Sequence, residues 1–281
     1  MSTQQAPGAD EWTHVSRGHG KGRSARPPPV LNSFPAVSKD IDVVDIRKDY
    51  NRKLKIWRNS ACRSTILRIL NTLQPDAGWQ VRQAVCLAMG SLSRDNLECR
   101  RRSMWQMVVF ADMVDLLGTD EGESTEAVLQ DPAFTDLDRD FFQSIGMAAL
   151  PLPSDSSKQP GLGPALSYCG DTTFVLELFM DMETQSIKEL VEANVEIYIG
   201  SSMQTRIERA KARNAGGGKA IPRSVTSDPA AKAKLEDIDE QDRLALEFGK
   251  RYRMYRYPAF AEDPNVFEGL CVFAKEREED T

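Results

Sequence analysis

The stretch that most constrains this chain is Gln83 to Ser93, QAVCLAMGSLS. Its apolar run, Ala84 to Met89, carries no charge and stops at Gly90-Ser91. An uncharged run closed by a tight-turn signal reads as a strand buried on both faces, with a helix to follow. In open α/β sheets, ligands bind outside the carboxyl ends of such strands. The run therefore says where a site would lie and leaves its chemistry open.

The flanking sequence repeats the alternation. Upstream, Tyr50, Leu54, Trp57, Ala61, Ile66, Leu70 and Leu73 recur at helical spacing without Gly or Pro, giving one long amphipathic helix or two abutting ones. Downstream, Met104, Met107, Val108, Ala111, Val114 and Leu117 form the next helix, which stops at Gly118. A second strand at Ala127 to Gln130 runs into Asp131-Pro132. Thr135 and Asp138 then suit a capping box for a helix that buries Leu137, Phe141, Phe142 and Ile145. Met147 to Leu152 reads as a third strand, Pro151 to Pro164 as a loop, and Leu166 to Cys169 as a short extra strand. Thr173 to Met180 is the fourth strand, Ser186 to Glu189 a capping box for another helix, and Val195 to Ile199 the fifth strand.

This order of elements points to right-handed crossovers and an α/β domain with a mostly parallel sheet of about five strands. Three divisions follow. Residues 1–40, rich in Gly, Ser, Pro and basic residues, read as a mostly disordered tail. Residues 41–202 form the α/β domain. Residues 203–281 form a helical C-terminal extension: a basic helix from Met203 to Arg213, a Gly-rich linker from Asn214 to Lys219, a charged helix from Ala230 to Lys250, an edge strand at 266–273, and an acidic tail at 276–280.

Several function classes drop out. The two histidines, His14 and His19, both lie in the tail, so the expected domain offers no histidine for catalysis or metal binding. Five scattered cysteines without a CxxC pair fit reduced thiols and argue against a disulfide frame or zinc site. No run approaches the ~18 apolar residues of a membrane span, and the polar start of the chain has no secretory h-region. The expected setting is the cytoplasm or nucleus. A net charge of −6 argues against nonspecific nucleic-acid binding.

Candidate site residues come from three strand ends expected on one edge: Gly90 and Ser91, Asp131, and Gly200, Ser201 and Ser202. In one reading Gly90 lets a ligand approach the backbone, the following helix start favours an anion, and Asp131 accepts ribose hydroxyls. In the other, Gly90 makes a turn and Asp131 an Asx turn before Pro132. Gly90 lacks GxGxxG companions, and its separation from Asp131 far exceeds the ~20 residues of the dinucleotide fingerprint. Gly216 to Lys219 is no phosphate loop, because Ala-Ile-Pro follows it. Arg251 to Tyr257 interleaves cations with aromatics, which suits stacking on single strands or packing of tyrosines under snorkelling arginines. No catalytic residue, metal ligand or cofactor is assigned.

The order of features resembles the SRR1-like domain family. The residues that carry the likeness are Trp12-Thr13 with Val15 and nearby Arg/Gly, Met89-Gly90-Ser91, Gln130-Asp131-Pro132-Ala133-Phe134 followed by Ile145-Gly146, and Tyr198-Ile199-Gly200-Ser201-Ser202. It spans roughly residues 11 to 202, with Phe267 to Phe273 as its end. The resemblance implies a Rossmann-like three-layer domain. It also implies links to circadian and light-signalling regulation and to control of haem biosynthesis, without an established reaction. The family often carries Met-Pro-His-Cys after its fourth strand. Here that region reads Leu176-Glu-Leu-Phe-Met-Asp-Met182, so no metal, haem or acid/base role carries over, and the chain looks like a divergent, fungal-type member.

The expected function is therefore regulation by binding of protein partners, gated by a small nucleotide-like ligand at the strand ends. The alternatives are an enzyme using a nucleotide or S-adenosylmethionine-like cofactor, and nucleic-acid binding through the basic segments.

Overall fold

The computed structural model describes residues 34–118, 124–152, 161–215 and 229–276. Most of the expected basic tail, residues 153–160 of the loop expected between Pro151 and Pro164, most of the Gly-rich linker and residues 277–280 of the acidic end lie outside the described residues.

The periodic pattern upstream of the central strand resolves into two helices. Asp42 caps α1, Val43–Arg58, by accepting from the Asp45 amide while Asp45 returns a bond to the Asp42 amide. Asn59 leaves helical geometry, and the Ser60 hydroxyl accepts from the Arg63 amide to start α2, Ala61–Leu73. Next come β1, Gln83–Leu87; α3, Leu97–Leu117; β2, Glu126–Gln130; α4, Asp136–Gln143; and β3, Ala148–Ala149. The chain continues with β4, Thr173–Glu177; α5, Thr184–Ala193; β5, Ile197–Gly200; α6, Ser202–Ala215; α7, Pro229–Arg251; β6, Tyr252–Arg256; and β7, Cys271–Lys275.

The strands form one seven-stranded sheet in the order β3-β2-β1-β4-β5-β7-β6. The first five are parallel, and β7 runs antiparallel to both of its neighbours. Strand alternation divides the core into two layers. Ala84, Cys86, Leu129, Phe174, Leu176, Ile197 and Ile199 point into one apolar cluster with residues of α1 to α4. Val85, Leu87, Val128, Val175 and Tyr198 point into the other, with residues of α5, α6 and α7. Both faces are covered, which is why the parallel strands read as unbroken apolar runs. The architecture is α/β with three layers.

Several expectations are corrected. Leu166 to Tyr168 belongs to a 3-10 turn, Gly163–Tyr168, with Cys169 as its C-cap, because Pro164 at its start favours helical geometry over pairing. The third strand pairs over two residues only, and the fourth ends at Glu177. Ser186 caps nothing: it is buried inside α5, whose N-cap is Glu183. The C-terminal stretch contributes two strands as well as helices. Residues 271–275 are interior, because β6 pairs along their outer side. The tail reading ends too late, since Phe34 to Asp40 is described and lies along the loop after β1. There the Ser38 amide donates to Ser93 O at 2.8 Å and the Asp95 amide to Ala36 O at 2.7 Å.

Asp112 joins three helices under one sheet face. Its side chain is 1% exposed. It accepts from Trp57 Nε1 at 2.9 Å, Arg63 Nε at 2.7 Å and Arg58 Nε at 3.4 Å. No described helix is long and apolar enough to cross a membrane.

Candidate functional site

All the residues singled out at strand ends lie on the carboxyl edge of the parallel strands, and buried carboxylates stitch the loops there together. Asp131, at the tip of β2, accepts from the Gly90 amide through Oδ2 and from the Ala133 amide through Oδ1, both at 2.7 Å. It thus makes the expected Asx-type turn and clamps the β1 turn as well. Burial raises its pKa, and the two amides pull the other way.

Asp138 is fully buried at the start of α4. Beyond its capping bond with Thr135, it accepts from the Ser91 hydroxyl at 2.7 Å and the Leu92 amide at 3.0 Å. Arg94 closes the same loop from outside. Its Nε donates to Ala133 O at 2.6 Å and its guanidinium to Pro35 O at 2.7 Å, while the group lies over the Phe34 ring.

Glu177 performs the corresponding task for β4 and β5. It is fully buried. One carboxylate oxygen accepts from the Tyr198 hydroxyl at 2.7 Å and from the Ser201 and Ser202 amides at 3.1 and 3.2 Å. The other accepts from the Met180 amide at 2.5 Å. Gly200 is required by proximity, because a Cβ there would fall 2.6 Å from Glu177 Oε2 and closer still to the Tyr198 hydroxyl. The candidate residues therefore form two groups, Gly90 with Ser91 and Asp131, and Gly200 with Ser201 and Ser202. The first group follows β1 and β2 and the second follows β5, with β4 between them: Leu87 of β1 pairs with Glu177 of β4, whose carboxylate holds the second group.

Backbone geometry marks the same place. Among the described residues three non-glycine positions have left-handed backbones: Ala88, Phe179 and Asn194. Asn194 is the C-cap of α5, an ordinary use of that conformation. Ala88 and Phe179 lie just beyond the ends of β1 and β4, the two strands between which the sheet order reverses. Phe179 is also 44% exposed, so an aromatic ring faces solvent beside the turn.

Sequence reasoning missed Glu177, Ala88 and Phe179. Glu177 did leave a signal: it is the lone charge in TFVLELFM, and a carboxylate inside a buried strand must be hydrogen-bonded or paired. Left-handed backbone at Ala or Phe leaves none. Cys62, Cys86 and the half-buried Cys169 offer no nucleophile, because desolvation pushes Cys62 and Cys169 up to about 12 and Cys86 well above its ordinary value.

Two expected outcomes follow from this geometry. Gly90 has φ +79°, and a Cβ there would lie 2.6 Å from Ser103 Oγ. Gly90→Ala should therefore cost about 2–3 kcal/mol in urea unfolding, from backbone strain and overpacking together. For Asp131, a raised folded pKa means that the folded state holds a proton the unfolded chain has released, so this group's contribution to stability falls with rising pH above the ordinary 3.8. Wild type should accordingly gain stability relative to Asp131→Asn as pH is lowered from 7 toward 4, as read by paired urea titrations.

A comparison with curated proteins finds no match. Among family models, the SRR1 domain matches residues 66–272. The match begins in α2, later than the Trp12-Thr13 start would place it, and runs past residue 202 into β7. It includes Gly90, Asp131, Glu177 and Gly200. With well over half of the chain matched, the protein belongs to the SRR1 domain family.

Proposed function

We propose that this SRR1-family protein is regulatory, acting in the cytoplasm or nucleus by binding protein partners, and that a small nucleoside-like ligand at the carboxyl ends of β1, β2 and β4 gates that binding. The observation that carries this reading is the pair of left-handed residues, Ala88 and Phe179, at the point where strand order reverses. Open α/β sheets bind ligands at that point. Each such residue costs about 1–3 kcal/mol, a strain that gathers at ligand sites. The chemistry nearby suits a nucleoside. Asp131 Oδ1 and Oδ2 each accept one backbone amide, and a carboxylate oxygen has two lone pairs, so capacity for ribose hydroxyls remains. The Phe179 ring offers a stacking surface for a base. Light-signalling, circadian output and haem synthesis are the processes we propose it serves.

A second reading is an enzyme using an S-adenosylmethionine-like cofactor. It is favoured by the reversal of strand order between β1 and β4, the point at which open α/β sheets take nucleotide-type cofactors. Shared architecture is an analogy, and chemistry would have to come from the site.

A thermal-shift screen tests both. Nucleotides, dinucleotides, S-adenosylmethionine and haem would be added to wild type, Gly90→Val and Asp131→Ala, each compared with its own ligand-free melt. A ligand at about 100 times its Kd adds about 2.7 kcal/mol to folding stability. The proposal expects an adenosine-containing compound to raise the melting temperature of wild type and of neither variant. If no compound shifts wild type, the ligand-gated reading fails. Turnover of bound S-adenosylmethionine would put the enzyme reading first.

A further inference from the structure

The sheet ends differently at its two edges. β3 pairs over two residues only, and the Arg139 guanidinium donates to Ala149 O at 3.4 Å, so that edge is short and one of its carbonyls is taken. β6 closes the other edge over five residues, with a neighbouring strand on one side only. Its register says which backbone groups face outward. In an antiparallel pair, residues alternate between those that bond to the neighbour and those that turn both groups away from it. The Glu276 amide donates to Arg251 O at 2.8 Å and the Tyr257 amide to Leu270 O at 3.0 Å, so the odd-numbered residues of this stretch face β7. Met254 and Arg256 therefore direct N–H and C=O out of the sheet. Both residues are exposed, Met254 at 40%. Such a row is a template for one more strand.

The side chains say what kind of strand fits. The aromatics between the cations are committed inward: Tyr252 is buried and donates to Val195 O at 2.7 Å, Tyr257 is buried, and Tyr255 packs partly on the core. That leaves no row of free ring faces for nucleic-acid bases to stack on. The cations stay outside. Arg251 and Arg253 are matched by Glu247 and Glu276. Lys250 and Arg256, exposed at either end of the strand, make no ion pair with a described residue. A second β6 pairing symmetrically about Met254 would set Arg256 of each copy against the Lys250-Arg251 end of the other, and like charges across a strand pair repel. Charge thus selects an acidic partner over a second copy.

We infer that the β6 edge takes up an extended acidic peptide segment of a partner protein as an eighth strand. Its backbone bonds to Met254 and Arg256, an apolar side chain lies on Met254, and carboxylates meet Arg256 and Lys250. The inference gives the protein-binding part of the proposed function a surface. It needs no ligand at the strand ends, so it stands or fails apart from the thermal-shift result.

The probe is the peptide Glu-Glu-Thr-Val-Thr-Glu-Glu, which puts valine opposite Met254 and glutamate opposite Arg256 in either strand direction. Titrated into the isotope-labelled full-length chain, it should shift the Met254 and Arg256 amides with a Kd of about 0.1 mM. The same peptide with lysine in place of glutamate should bind at least about tenfold more weakly. N-methylating the valine amide, which faces β6, should weaken binding about tenfold, whereas N-methylating the threonine amides, which face away, should change it little. Arg256→Glu, at an exposed position, should also cost about tenfold. Met254→Pro removes an outward donor without touching a bond to β7 and should abolish binding. Should that variant fail to fold, the N-methylated peptides make the same backbone test on wild type. The inference is overturned by any of four results: no saturation with wild type up to about 5 mM, equal binding of the lysine peptide or of the valine-methylated one, unchanged binding to Arg256→Glu, or a short oligothymidylate that shifts the same amides at lower concentration than the peptide.

Discussion

Glu177→Ala should be the most damaging single substitution at the sheet edge, costing about 3–5 kcal/mol and leaving much of the chain unfolded at 37 °C. The carboxylate accepts four bonds, from Tyr198, Ser201, Ser202 and Met180, in a position with no access to water. Removing it strands a phenol and three amides at once. A loss of that size is a large share of the roughly 5–15 kcal/mol that holds a domain together. Tyr198→Phe removes one donor and should cost only about 1 kcal/mol. Glu177→Gln should fall between the two, because one amide end must face donors with a donor. Urea unfolding of the three variants gives the order. A cost below about 1 kcal/mol for Glu177→Ala, the ordinary worth of one hydrogen bond, would mean that the loops after β4 and β5 hold themselves.

Asp112→Ala should be nearly as severe, at about 3–4 kcal/mol. It leaves the Trp57 indole N–H without its acceptor and strips the partly buried Arg63 of its carboxylate. Asp112→Asn keeps one acceptor for Trp57 and should lose less. Arg58 is half exposed at 3.4 Å, so Arg58→Ala should cost under about 1 kcal/mol. Because Asp112 is buried, the Asp112→Ala deficit should persist in 0.5 M salt, where an exposed pair would be screened at about the Debye length of a few ångströms. Thermal melts with and without salt measure this directly.

How far the sequence could be read depended on whether its signals were local. The runs at Ala84, Ala127 and Thr173 announced buried parallel strands, because both faces of each are covered by helices. Thr135 and Asp138 announced a helix start through their reciprocal capping bonds alone, whatever the helix packs against. The last two strands were harder. Arg251 to Tyr257 alternates cations and aromatics, yet its strand character comes from pairing with β7, which itself pairs across a long chain separation with β5. Tyr252 in this stretch stacks on Phe248 at 4.1 Å, as the packing reading of its tyrosines expects. Phe34 to Ser38 looked like tail because its partners, Ser93 to Asp95, lie far along the chain. Gly90, Asp131 and Gly200 were legible as turn residues at strand ends, while the carboxylates that hold those turns, Asp138 and Glu177, show their role only once the strands are adjacent.

The most direct test of a ligand site at the strand reversal is an amide chemical-shift map of the full-length protein titrated with S-adenosylmethionine and, separately, adenosine. The account predicts saturable shifts concentrated at Ala88, Gly90, Asp131 and Phe179, with Ser201 following through Glu177. Binding that shifts amides elsewhere and leaves these unmoved, or no binding by either compound, would contradict it.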